Sequence, residues 1–274
     1  MPLPYDNLAY PVFIQIGDEF GTGFNLATEY GEFFISAKHV FYKKDGTLKN
    51  NTALLKFRVQ NPSEKDYSIN IHEINIDQLL EEKRIILSPD KDIIIFDFDS
   101  VKLNPKTGIK DQIHFFKLSG SNNGRYTRIP KNSPLTLDQV AISNDIYIFG
   151  YPNSIGMISD PQFNYNVPLI RKGIVSQVNR DSGTIILDCQ VHGGNSGGPV
   201  IQINQIDSTT FNLHLIGILI QYIPYYTKQS VSYPNTYYNS TPASVIDSKN
   251  SGYSVAVSIE FALEIIKAYS ENNN

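Results

Sequence analysis

The stretch GGNSGGPVIQI, residues 193–203, decides how the rest of the chain is interpreted. Glycines before Ser196 allow a turn in which backbone N–H groups face one point, and glycines after it keep side chains away from a ligand. The residues that follow, 199–203, are mostly apolar and β-branched, which predicts a strand. Taken alone, the stretch fits either an activated serine or a glycine-rich hairpin that contains a serine incidentally.

Short apolar runs of the same kind recur along the chain and are separated by clusters of glycine, asparagine, proline and aspartate. Examples are PVFIQI at 11–16, IIIFDF at 93–98, IYIF at 146–149 and HLIGILI at 214–220. Such runs predict many short strands, and therefore a β-sandwich or β-barrels. Helical periodicity is strong only at 259–269, which predicts a terminal helix packed on the second half of the chain.

Composition excludes several classes of partner. The 274 residues carry a net charge of -4, so we expect no nucleic-acid partner, which would favour a basic surface. No run reaches the roughly 18 apolar residues of a membrane helix, so we expect no membrane partner. The first residues lack a basic start and an apolar stretch, which predicts a cytoplasmic protein, or a secreted one if a leader has been removed. The single cysteine, Cys189, has apolar neighbours and reads as a buried thiol in a reducing compartment, although a reactive thiol is the alternative.

Two further residues could assist a serine. His39 ends an apolar run, and Asp92 stands at the start of another, where a buried carboxylate would need a partner such as an imidazole N–H. Taken alone, His39 could be a structural histidine and Asp92 a strand-end cap or turn residue. The five histidines show no metal-ligand spacing, so we expect no metal and no cofactor.

Together these segments resemble trypsin-like (chymotrypsin-fold) serine peptidases, and in motif style the bacterial HtrA/Deg-like branch without a PDZ domain. The resemblance covers residues 9–268 and rests on GTGF at 21–24, ISAKHV at 35–40, KDIII at 91–95, FGYP at 149–152, GIVS at 173–176 and the segment 188–200. It implies an all-β fold with two six-stranded antiparallel β-barrels, at about 9–120 and 136–270, and a C-terminal helix. It also implies that residues 1–274 form a single peptidase domain.

The function implied by the resemblance is serine endopeptidase activity on a protein or peptide substrate. His39 would be the general base, Asp92 would orient it, and Ser196 would be the nucleophile that forms an acyl-enzyme. The N–H groups of Gly194 and Ser196 would bind the oxyanion. The resemblance places the specificity pocket between two short segments, which comprise Gln190, Val191 and His192 on one side and Ile220, Gln221 and Tyr222 on the other.

Residues at that pocket also predict its preference. Gln190 stands where Lys/Arg-specific relatives have an acid, and Leu219 stands where glutamyl-specific relatives have a histidine. We therefore expect an apolar or small polar side chain before the cut.

The chain departs from the family pattern at two positions. Lys38 replaces a small residue before the histidine, and Asn195 replaces the aspartate that pairs with a freed N-terminus in secreted digestive enzymes. Activation by propeptide cleavage is therefore not expected. We hypothesise instead that a protein partner or ligand activates the enzyme by ordering a long loop, Lys228 to Gly252.

Three other functions compete with the peptidase. A degenerate relative would bind peptides or proteins without cleaving them, and a β-rich adhesin would have no enzymatic site. The G-x-S-x-G pattern around Ser196 also matches the nucleophile elbow of α/β-hydrolase esterases. That class is disfavoured because an elbow needs a helix after the serine and a later catalytic histidine, whereas a strand follows here and His214 lies inside an apolar run.

Overall fold

The computed structural model describes residues 8–60, 67–98, 101–103, 110–112, 117–119, 125–153, 162–207, 210–231 and 243–273. These residues form β-strands with few helices. In the first half the elements are β1 Pro11–Ile16, β2 Glu19–Thr28, β3 Gly31–Ser36, α1 Lys38–Phe41, β4 Thr52–Gln60, β5 Tyr67–Asn75, α2 Ile76–Glu81, β6 Ile85–Leu87, β7 Ile94–Asp97, β8 Val101–Leu103, β9 Lys110–Gln112, β10 Lys117–Ser119 and β11 Arg125–Tyr126. In the second half they are β12 Asp145–Gly150, β13 Leu169–Asn179, β14 Thr184–Asp188, β15 Pro199–Gln205, β16 Phe211–Val231, β17 Ala243–Ser258 and α3 Ile259–Asn273, and a short 3-10 helix at Leu137–Gln139 precedes them.

The second half is a closed six-stranded antiparallel barrel. Its strands follow the order β12-β13-β14-β17-β16-β15, and β15 pairs back onto β12. The barrel is filled by the branched side chains of inward-facing positions such as Ile146, Ile185 and Ile216. The predictions of an all-β fold, a second six-stranded barrel and a C-terminal helix are confirmed.

The first half differs from the expected closed barrel, because its described strands form a sheet with two free ends. The order is β10-β5-β4-β1-β2-β3-β7-β6, with β11 also paired to β4. The two end strands of this sheet are β6 and β10, and they do not pair with each other in the described part of the chain. β10 pairs with Ile71, His72 and Glu73 of β5.

One apolar cluster joins the two halves. It combines Phe24 and Ile95 of the first sheet with Phe149 and Leu215 of the barrel, and Ile266 of α3 packs into it. The terminal helix therefore contacts both halves rather than the second barrel alone. No helix among the described residues is long and apolar enough to cross a membrane.

The expected loop at 228–252 is largely β-structure, so that prediction is wrong for the described part. β16 continues to Val231, β17 begins at Ala243, and the two pair from Pro224 with Asn250 to Val231 with Ala243. We call these paired residues, 224–231 and 243–250, the ribbon. A serine- and tyrosine-rich sequence does not exclude a strand, because backbone pairing requires no apolar side chain and tyrosine, threonine and valine favour the extended conformation. The tip at 232–242 lies outside the described residues.

Candidate active site

His39 and Asp92 are held together by two hydrogen bonds. The short helix α1 follows directly after β3 and turns His39 so that its Nδ1 lies 2.5 Å from Oδ2 of Asp92. The backbone N–H of His39 donates to the other carboxylate oxygen, Oδ1, at 2.8 Å. A third bond, from the N–H of Lys38 to the carbonyl of Asp92, fixes the segment before β7 against α1. The carboxylate therefore orients the imidazole and favours the tautomer with a proton on Nδ1.

The charge of Asp92 depends on this contact. Burial raises the pKa of the Asp92 carboxyl, but the hydrogen bonds from His39 and its charge together outweigh burial, so the pKa lies below its usual value. Asp92 is thus ionised at neutral pH and can stabilise an imidazolium.

The side chain of Lys38, a departure from the family pattern, is bonded to the backbone of another segment. Its Nζ donates to the carbonyl of Ser88 at 3.2 Å. The lysine therefore ties α1 to the segment after β6.

Ser196 comes from the second half and lines the same cleft as His39. The cleft has a volume of about 190 Å³. The Ser196 Oγ donates to the carbonyl of Ile220 at 3.4 Å, and no hydrogen bond joins it to the His39 ring. The structure therefore brings the three predicted residues to one place, with the serine hydroxyl turned toward the cleft wall.

Two backbone N–H groups beside Ser196 are oriented by bonds made on the opposite side of their peptides. The Gly193 carbonyl accepts from the N–H of Asn153, and the Asn195 carbonyl accepts from the N–H of Gly198, each at 3.0 Å. Because a trans peptide directs its C=O and N–H in opposite directions, the N–H groups of Gly194 and Ser196 point away from these partners. Neither donates to another described residue, which leaves both available to an anion.

Backbone conformation at this turn requires glycine. Gly194 has φ +90°, and a Cβ there would collide with the Tyr151 carbonyl. Gly197 has φ +84°, and a Cβ would collide with the Thr22 carbonyl. The second contact shows how closely the serine turn approaches the first half of the chain.

Thr22 is a buried residue of this site that the sequence named only as part of a motif. Its Oγ1 donates to the Gly194 carbonyl at 2.7 Å and accepts from the N–H of Tyr151 at 3.2 Å, and its backbone N–H donates to the Ser196 carbonyl at 2.8 Å. Thr22 thus joins the first sheet to two backbone carbonyls of the serine turn, those of Gly194 and Ser196. The available signal was its position between two glycines, since such a threonine can approach another backbone closely.

Most residues of the predicted specificity pocket line the cleft, namely Val191, His192, Ile220, Gln221 and Tyr222. Gln190, in contrast, is exposed and is absent from that lining. Burial, followed by the positive charge of Arg171, lowers the pKa of His192, so this histidine is neutral at pH 7.

Two other kinds of functional group were considered in the sequence, the cysteine thiol and a metal site. Cys189 is buried, as the sequence predicted, and burial raises the pKa of its thiol to about 11. Within the part of the chain that the structure describes, no three histidine, cysteine or acidic residues are grouped as a metal would require.

The sequence profile of a family described as a trypsin-like peptidase domain matches residues 21–205. This match covers more than half of the chain, and it contains His39, Asp92 and Ser196. The chain belongs to the trypsin-like peptidase family. A search of curated protein sequences finds no significant match to this member.

Two solved structures of the HtrA-type protease AlgW, one with a decapeptide and one with a tripeptide, are similar to this trypsin-like chain. Each is 14% identical in sequence, and the TM-scores are 0.44 and 0.46. The matches cover 92% and 99% of this chain but 51% and 65% of the AlgW chains. This protein therefore spans less than two thirds of the length of these relatives, and at such identity and score the likeness assigns it no function.

Proposed function

We propose that this chain is a serine endopeptidase that cleaves peptide bonds through His39, Asp92 and Ser196. The observation that carries the proposal is the meeting of the bonded His39–Asp92 pair and Ser196 in one cleft, beside two N–H groups free to bind an anion. These are the parts that acyl transfer requires: a nucleophile, an oriented base and donors for the developing oxyanion.

In the proposed reaction the Ser196 Oγ attacks the carbonyl carbon of the scissile peptide while Nε2 of His39 takes the hydroxyl proton. The carbonyl oxygen becomes an oxyanion held by the N–H groups of Gly194 and Ser196. When the C–N bond breaks, the imidazolium returns the proton to the leaving amine and an ester forms on Ser196. Water, deprotonated by His39, then hydrolyses the ester and restores the serine.

Activation by a protein partner is a further part of the proposal. Strand β16 carries four cleft residues, Leu219 to Tyr222, and continues directly into the ribbon, where Tyr225 and Tyr226 are exposed. A partner that binds the ribbon would therefore act on the strand that forms the cleft wall.

The second candidate is a peptide-binding domain that does not cleave. It is favoured by one observation, the hydrogen bond of the Ser196 Oγ to Ile220 instead of His39. Such a bond is compatible with catalysis, because catalytic hydrogen bonds are often loose without substrate and tighten when it binds.

Labelling with a fluorophosphonate probe separates the two candidates. We expect the probe to react with Ser196 in the wild-type protein, and to leave Ser196→Ala unlabelled. Each protein is tested with and without cell lysate, since labelling that needs lysate would indicate an activating partner. Absence of labelling under both conditions, in protein that retains its β-rich circular dichroism spectrum, would support the binding domain and reject the peptidase.

A further inference from the structure

Among the described residues, none accepts a hydrogen bond from the guanidinium Nε of Arg171 in β13. Its Nε is buried and makes no hydrogen bond, and no acidic residue lies within ion-pair distance of it in the described parts of the chain. A buried donor on a cation is costly when it is unpaired. The side chain therefore has the properties of a site for an anionic ligand.

The fold places the strand that carries Arg171 beside the segment that leads into the cleft, and Arg171 itself is not one of the residues that line the cleft. Arg171 and Gly173 are two residues apart in β13, so they share one face of the strand. A Cβ at Gly173 would lie 2.5 Å from the Cβ of Cys189, which puts that face against the segment that leaves β14. Since Ile174 pairs antiparallel with Asp188, the residues after Asp188 run back past Arg171 toward His192.

Electrostatics agree with this placement. After burial, the positive charge of Arg171 is the second cause of the lowered pKa of His192, which lines the cleft. The same charge opposes the burial that raises the pKa of Cys189. Among the described residues, the acid that acts on Cys189 is Asp188, which is exposed and forms no ion pair with Arg171. The positive charge of Arg171 is therefore felt at Cys189 and His192, on the segment that leads into the cleft.

We propose that Arg171 is a specificity-determining residue that selects an acidic side chain, aspartate or glutamate, immediately before the scissile bond. The proposal rests on the peptidase function proposed above and names its substrate class. Guanidinium groups bind carboxylates through two parallel N–H···O bonds, which would satisfy the donors of Arg171. This differs from the apolar or small polar preference expected from Gln190 and Leu219, because the cation comes from β13, a strand outside both pocket segments.

The test uses two peptides that are identical except for glutamate or glutamine before the cut. This pair changes charge without changing shape. We expect kcat/KM of the wild-type protein to favour glutamate by about 10- to 100-fold, the range of a hydrogen bond to a charged group. In Arg171→Met the ratio should fall to about 1, and in Arg171→Lys, which keeps the charge but loses the planar fork, it should be intermediate.

Lys172→Met is the matched control. Lys172 is the next residue of β13, so it faces the opposite side of the strand, where its Nζ lies 2.7 Å from Oδ2 of Asp145. The substitution Lys172→Met removes one positive charge from the same strand, as Arg171→Met does. In this control the preference for glutamate should remain.

Fluorophosphonate labelling of Ser196 is measured in each variant, since the probe reports the nucleophile without an acidic side chain. A wild-type protein that labels but cleaves the glutamine peptide as well as the glutamate peptide overturns this proposal alone. Equal loss of preference in Arg171→Met and Lys172→Met also overturns it. A protein that never labels overturns the peptidase function first, and this proposal with it.

Discussion

At the scale of single residues, the two oxygens of Asp92 have separate roles. Oδ1 accepts the backbone N–H of His39 and so positions α1, whereas Oδ2 faces Nδ1 of the ring. In an asparagine at this position, the amide oxygen could still accept from the His39 backbone N–H. The NH₂ group would then face Nδ1, where the carboxylate has an acceptor oxygen. One substitution can therefore separate the effect of Asp92 on the position of α1 from its effect on the tautomer of the His39 ring.

We predict that Asp92→Asn keeps the fold and loses most of the activity. If the amide oxygen accepts from the His39 backbone, its NH₂ group faces Nδ1, which moves the ring proton to Nε2 and leaves no acceptor for the serine proton. The corresponding change in a well-studied serine protease lowers kcat by about 10⁴-fold. We expect a loss of about 10³- to 10⁴-fold in peptide hydrolysis, with a melting temperature close to that of the wild type. Activity within tenfold of the wild type would contradict the role of Asp92.

Thr22 supports the serine turn but takes no part in the proposed reaction. We therefore predict that its substitution affects both stability and the labelling of Ser196. Thr22→Val would leave the Gly194 carbonyl and the Tyr151 N–H without the hydroxyl, at a cost of about 1 to 3 kcal/mol for each buried group. We expect urea denaturation to show this loss and fluorophosphonate labelling of Ser196 to slow. Thr22→Ser, which retains the hydroxyl, should restore both. Normal labelling in Thr22→Val would mean that the Gly194 peptide does not depend on this bond.

At the scale of elements, β5 buries polar residues on its inward face. Asn70, His72 and Ile74 alternate with outward residues and are at most 2% exposed, and the His72 ring meets the edge of Phe57 with centroids 5.3 Å apart. Ile69 and Ile71 lie on the opposite, half-buried face. The alternation of apolar and polar residues in β5 would by itself predict that Ile69 and Ile71 face inward. In the folded sheet Asn70 and His72 face inward instead.

His72 should make stability depend on pH. Burial lowers the pKa of His72 to about 4, from the usual 6.5. Between these values the unfolded chain binds a proton that the folded chain does not, so stability falls as pH falls from 6.5 toward 4, by about 3 kcal/mol in total. We expect urea denaturation of His72→Leu to show a weaker loss across this window than the wild type. Parallel pH curves for the two proteins would contradict the prediction.

At the scale of the whole molecule, the site exists only where two halves meet. His39 and Asp92 come from the first sheet and Ser196 from the second barrel, while α3 packs into the cluster that joins them. A second link is the hydrogen bond from the Tyr269 hydroxyl of α3 to Oδ2 of Asp97 in β7, at 3.0 Å. The helix therefore contacts both halves and helps to hold them together.

We predict that the halves unfold together and that α3 sets the temperature at which they do so. Ile266 is fully buried, and Ile266→Ala should cost about 2 to 5 kcal/mol through lost contacts and a cavity. Loss of Ser196 labelling and loss of β-structure by circular dichroism should occur in one transition, shifted equally in the variant. Two separate transitions, with only one moved by Ile266→Ala, would show that the halves are independent.

Much of the architecture was accessible from local patterns. Short β-branched runs between turn residues predicted the strands, and three- and four-residue periodicity predicted α3, because both signals reflect burial of one face of an element. The motif around Ser196 and the positions of His39 and Asp92 indicated which residues to bring together, since nucleophile, base and acid have recognisable local contexts. Those features are determined by neighbours in sequence.

Tertiary structure decided the features that depend on distant contacts. The described strands of the first sheet end at β10 on one side and β6 on the other, and the ribbon forms because β16 and β17 pair beyond the barrel. The three hydrogen bonds that join Thr22 to the second half of the chain, and the Arg171 Nε without an acceptor among the described residues, likewise arise where separate strands pack. A sequence records which groups a residue carries, but whether a donor finds a partner depends on what the fold places within about 3 Å of it.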